Sequence, residues 1–195
     1  MIQMTNAELI RYAGWSAFTS AIVTIVGLVT LTLFFTLGEP WGTINDISSV
    51  VLALSTLPVL IVLHRLHCHD VPAVSLVTFF IGILAMLVVV VFQTLLIVRV
   101  IAFAQTAVVV PVAYGLFGAA LMVYSYLALA HEVLSRRLAV LGIIAGAGYV
   151  MVIIGFILGG QEHPLTAIGG LTTVVCYPIW AIWFGRMLLA GRLIT

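Results

Sequence analysis

Five residues have the types and spacing to hold a metal ion: His64, His67, Cys68 and His69 lie within one short polar stretch, and His131 lies at the same expected depth on a later segment. His64 and His67 are three positions apart, so on a helix end both face one way. Cys68, His69 or His131 would then complete a tetrahedral set suited to zinc. The chemistry this implies is that of a metal-dependent membrane enzyme. The same positions also suit histidine without a metal, because a helix C-terminus offers the ring unpaired carbonyls and a negative dipole end.

A second group comprises Glu39, Asp46, Arg99, Gln105, Glu162 and His163, drawn from three separate polar connections. Acid, base and amide groups brought together at the starts of helices would hold a small polar ligand or an ion, since those starts add positive dipole ends. Arg99 is the only basic residue on this side, beside a stretch too apolar to solvate it, so a carboxylate partner is expected among Glu39, Asp46 and Glu162. Two further positions, Pro58 and Pro178, each remove a backbone hydrogen bond and free the carbonyls of Leu54 and Val174. Ser55, Thr56, Thr172 and Thr173 are close enough in sequence to satisfy those carbonyls at a kink.

Other chemistries are excluded by composition. All seven basic residues are arginine and lysine is absent, so neither a retinal Schiff base nor a pyridoxal phosphate linkage can form, and the cofactor is otherwise undefined. No Ser–His–Asp order, zinc-protease helix motif or glycine-rich nucleotide loop occurs. A net charge of +1 with scattered arginines gives no basic stripe for nucleic acid. Cys68 and Cys176 stand at different expected depths and do not form a disulfide.

The elements that position these residues follow from hydropathy. The chain has 195 residues, of which 64% are hydrophobic and 7% charged, and a mean hydropathy of +1.34, which places it outside the range of soluble domains. A bilayer core of roughly 30 Å needs about 20 helical residues. Cutting at the polar breaks predicts one all-α transmembrane domain over 1–195, a six-helix bundle of three hairpins. Its spans fall near 13–37, 47–66, 74–92, 108–130, 138–158 and 164–189. The first is too long for a signal peptide and is read as a retained anchor, with Thr5 or Asn6 as its cap. Asn45 or Asp46 is expected to cap the second helix. Residues 93–106 are expected to form a short interfacial helix that keeps Arg99 and Gln105 wet, in preference to extending span three. Gly, Pro and Arg recur in parallel along spans one and two and spans five and six, which hints at a duplication.

Arg11, Arg65, Arg136, Arg137, Arg186 and Arg192 fall on one side and Arg99 alone on the other. Positive charge marks cytoplasmic loops, so both termini are expected in the cytoplasm of what reads as a prokaryotic inner-membrane protein. Ala13, Ala17 and Ala21 form a small-residue strip that would let another membrane helix approach closely. No segment carries a motif that names a family. In layout the chain resembles the S component of the energy-coupling-factor vitamin transporters, which has about this size, six spans, termini inside and a ligand cup outside. That resemblance implies a substrate-binding subunit that docks its coupling partner through the alanine strip. The preferred reading is a non-enzymatic membrane protein that binds a small ligand in the outward cup or acts with a membrane partner. A structural subunit of a larger assembly and the metal enzyme are the alternatives.

Overall fold

A computed structural model describes residues 6–191. Six helices make up almost all of it: α1 (Asn6–Leu37), α2 (Trp41–His67), α3 (Pro72–Ile97), α4 (Phe103–Ala130), α5 (Arg136–Gly159) and α6 (Pro164–Leu189), with a single 3-10 turn at Gly160–Glu162. Every one of the six is long and apolar enough to cross a bilayer, and even the 24-residue α5 reaches about 36 Å at 1.5 Å per residue. The chain is an all-helical, multi-pass integral membrane protein. Several hydroxyl groups inside the helices are satisfied locally: Thr24 donates to the Ser20 carbonyl, Thr30 to Val26 and Ser48 to Ile44, which removes their polar cost in lipid.

Several boundaries differ from the sequence expectation. Helix α2 begins at Trp41, so Asn45 and Asp46 lie in its second turn and cap nothing. The carboxylate of Glu39 serves the helix start instead, accepting from the Thr43 amide at 3.3 Å and its hydroxyl at 3.0 Å. Helix α3 continues to Ile97 and α4 starts at Phe103. Residues 93–106 therefore form no separate interfacial helix, because the apolar run Leu95–Ile97 extends the α3 face past Gln93 and Thr94. Thr5 and Arg192 lie outside the described residues.

Each helix packs on its neighbours in sequence, and α6 returns to α1 to close a ring. Gly14 of α1 faces Leu189 of α6, while Ser20 bonds Tyr177. Gly115, Gly118 and Gly142 meet Ile153, Gly146 and Ser125 across the α4–α5 seam, and Gly148 and Gly155 meet Thr173 and Thr166 across α5–α6. Numbers rise on one helix as they fall on the next, so neighbours are antiparallel. One end of the bundle carries the connections 38–40, 98–102 and 160–163, and the other carries the outer ends of α1 and α6 with the connections 68–71 and 131–135.

The alanine strip is turned inward. Ala13, Ala17 and Ala21 are each 0% exposed, and Ala17 lies against Gly185 of α6. The strip is an internal seam and offers no surface to a partner, which removes the feature that carried the S-component docking expectation. Inside the ring the aromatics form a column running Phe117, Tyr149, Tyr177, Trp180 and Phe184, edge-on over the first two contacts and stacked over the last two, with successive centroids 5.0 to 6.1 Å apart. Tyr124, Tyr177 and Trp180 are core residues, whereas Trp183 and Tyr126 face outward.

These seams set a stability test. A methyl group added at Gly146 would meet the Gly118 carbonyl oxygen and, at 2.9 Å, the Met122 nitrogen, both rigid backbone. Gly146→Ala should therefore destabilise by about 1–3 kcal/mol through overpacking. Gly170→Ala, where an added methyl meets nothing within 4 Å, should be neutral or stabilise by up to about 1 kcal/mol. Thermal unfolding in detergent separates the two, and equal effects would show that the seam is not tight.

Candidate functional site

A cavity of about 260 Å³ opens among five of the six helices, in the half of the bundle nearer the 38–40 connection. Its polar lining is Thr24 on α1, Asn45, Ser48 and Ser49 on α2, Tyr114 on α4, Tyr149 on α5 and Thr173 on α6, with Val23, Leu28, Leu52 and Val174 among the apolar walls. The α2 groups fall at i, i+3 and i+4, and so share one helix face. Gly27 on α1 leaves room beside them, since the Asn45 side-chain oxygen lies 3.7 Å from where its methyl would be.

Two sets of groups line this space. Thr24, Ser48 and Tyr114 have already donated their hydrogens, to Ser20, Ile44 and the Ser49 carbonyl respectively. The hydroxyls of Ser49, Tyr149 and Thr173 make no hydrogen bond among the described residues, and that of Thr173 is sealed against Gly148 with no partner. Burying such a hydroxyl unpaired costs free energy. Tyr114 and Tyr149 stack with centroids 6.0 Å apart. Among the described residues the lining contains no arginine, histidine or carboxylate, so it suits an uncharged molecule with hydrogen-bonding groups.

The polar group expected from the connections is spread around one end of the bundle. Glu39 caps α2, Gln105 accepts from the Ala102 amide at 2.8 Å, and His163 Nδ1 accepts from the Leu165 amide at 3.2 Å. Each side chain completes its own helix start. The Gly160–Glu162 turn touches only α5 and α6, so Glu162 does not approach the other connections. Arg99 is exposed at φ 60° and forms no ion pair with Glu39, Asp46 or Glu162. The expected clamp is not formed because the ring sets the three connections apart. Asp46, partly buried beside Asn45, is the member nearest the cavity in sequence.

The histidine cluster is dispersed for a similar reason. His64 Nδ1 lies 2.8 Å from the Ser75 hydroxyl and its ring stacks on Phe79. His67 is 0% exposed, stacks on Tyr124 at 5.9 Å, and leaves both ring nitrogens unpartnered. Cys68 donates to the Arg65 carbonyl, while His69 and His131 are exposed. Among the described residues no three His, Cys, Asp or Glu side chains are placed to share a metal ion. Helical rotation sends His64 toward α3 and His67 toward α4, so a spacing of three does not bring them to one ligand.

Both prolines lie inside continuous helices, as does Pro111 in α4, which sequence reading did not single out. The neighbouring hydroxyls do not serve the freed carbonyls. Ser55 donates to Leu52, Thr56 to Ala53 and Thr172 to Ile168. Val174, whose carbonyl Pro178 frees, lines the cavity beside Thr173. Leu54, the corresponding residue for Pro58, faces outward.

The chain matches no family model, and no curated protein or solved structure gives a significant match. Sequence reading missed Thr24, Asn45 as a lining group, Ser48, Ser49 and Tyr149. The available signal was the helical spacing of small polar residues on α1 and α2, which only packing distinguishes from local self-satisfied hydroxyls.

Thr173→Val keeps the shape and deletes a sealed, unpartnered hydroxyl. It should be neutral or stabilise by up to about 1 kcal/mol. A loss of thermal stability beyond that would show that the hydroxyl is satisfied within the fold.

Proposed function

We propose that this protein is a non-enzymatic membrane component that binds a small uncharged molecule in the cavity between α1, α2, α4, α5 and α6. The observation that carries this reading is the pair of unspent hydroxyls at Ser49 and Tyr149 beside one cavity whose lining, among the described residues, carries no charge. Groups left without partners in an apolar interior are stabilised when a ligand completes their hydrogen bonds. Glu39, Asp46, Arg99, Gln105, Glu162 and His163 form a polar rim at that end of the bundle, exposed or partly so. The separation of the histidines leaves the metal-enzyme reading without a site.

We read that rim as facing outward. Among the described residues Arg11, Arg65, Arg136, Arg137 and Arg186 lie at the opposite end and only Arg99 lies at the rim. Positive charge is retained in the cytoplasm, which supports our reading of both termini on the cytoplasmic side of a prokaryotic inner membrane.

Ligand binding is tested by native mass spectrometry of the protein extracted in mild detergent, followed by titration with whichever uncharged species co-purifies. Tyr149→Phe and Ser49→Ala should each weaken its binding by about threefold to tenfold, the equivalent of one net hydrogen bond. Unchanged affinity in both variants, or no retained molecule, would overturn the assignment.

Orientation is tested with the native thiol at Cys68, which is partly exposed in the 68–71 connection. In intact cells an impermeant maleimide should spare Cys68 and label Glu162→Cys. The reverse pattern would invert the topology.

A further inference from the structure

The face of α6 turned away from the ring carries Leu171, Val175, Ile179 and Ile182, all exposed, at steps of three and four residues. The stripe ends on Trp183 and Arg186. A groove of about 610 Å³ lies over this end, lined by Ile179, Ile182, Trp183, Arg186, Met187 and Ala190. Among the described residues its only polar side-chain groups are the Arg186 guanidinium and the Trp183 indole N–H, both hydrogen-bond donors. Arg186 is exposed and forms no ion pair among the described residues.

The α5–α6 register adds charge at the same level. Gly148 lies beside Thr173 and Gly155 beside Thr166, and continuing that antiparallel register brings the first turn of α5 level with Arg186. That turn begins with Arg136 and Arg137, both exposed. Glu132, in the preceding connection, is the one carboxylate nearby in sequence, against three guanidinium groups.

We propose that this surface binds an anionic phospholipid. The phosphate takes Arg186 together with Arg136 and Arg137, because the planar guanidinium fork matches phosphate oxygens. The Trp183 ring lies at the headgroup boundary, where indole is favoured, and one acyl chain follows the stripe inward. From Arg186 to Val175 is eleven residues, or about 16 Å at 1.5 Å per residue, close to the half-thickness of a hydrocarbon core of roughly 30 Å. Free phosphate would use the arginines but leave the stripe idle, and a zwitterionic headgroup would bring a choline cation against three positive charges. A net negative lipid satisfies both halves of the surface.

The test uses full-length protein in detergent, stripped of lipid and then given phosphatidylglycerol, phosphatidylcholine with the same chains, or inorganic phosphate. Native mass spectrometry counts bound lipid, and thermal unfolding reads stabilisation. Phosphatidylglycerol should be retained and raise the melting temperature, phosphatidylcholine should bind about tenfold more weakly, and Arg186→Gln should lose about tenfold in phosphatidylglycerol affinity, as expected for one lost charge-assisted hydrogen bond. Arg136→Gln/Arg137→Gln should lose a comparable factor. Should Arg186→Gln fail to fold, the wild-type protein still decides, because binding must weaken as salt is raised. Equal retention of the two lipids, salt-independent binding, or stabilisation by inorganic phosphate equal to that by phosphatidylglycerol would each overturn the proposal.

Discussion

Backbone meets backbone where Gly118 of α4 faces Gly146 of α5, and the rest of the ring depends on that approach. In lipid the hydrophobic effect does not draw helices together, so association relies on close packing. A single methyl at either position would strike main chain. The glycines at 148, 155 and 169 repeat the device where α5 meets α6, so α5 is held by close backbone approach on both sides. This approach also brings Tyr149 into the interior, where it joins Phe117 and Tyr177 in the aromatic column. The cavity lies where the column stops and α1 and α2 present glycine and small hydroxyls instead of large side chains.

The termini end is fastened differently. Tyr124 donates to the Ser75 carbonyl at 2.8 Å, and Ser75 in turn exchanges contacts with the His64 ring and carbonyl. Three helices are tied by that chain of hydrogen bonds, with His67 stacked above it. Residues that looked like ligands are thus parts of a brace. At the other end the polar side chains complete helix starts, as at Glu39, Gln105 and His163, so they do not gather into one polar cluster.

Much of the architecture was legible because hydropathy and length answer to the bilayer directly. The six spans, the absence of lysine chemistry and the one-sided arginines need no tertiary information. The alanine strip shows where that legibility ends: spacing of four correctly marks a packing face, yet the same pattern serves a partner or a neighbour in the same chain. Closure of α6 onto α1 decided for the neighbour, through Gly185. The polar connections were likewise found in sequence, but whether they converge depends on how far around the ring they are placed.

By itself the sequence determined that the chain crosses a membrane as six helices, because every backbone polar group in lipid must be satisfied within its own segment, a local requirement that apolar runs reveal. Only the tertiary structure decided which side chains share a space. A helix carries successive residues about 100° apart, so His64 and His67 separate, while Ser49, Tyr149 and Thr173, distant in sequence and unremarkable alone, come to border one cavity. The rotation of each helix about its axis is set by the glycine and alanine seams of its neighbours, and that information resides in pairs of segments rather than in any one of them.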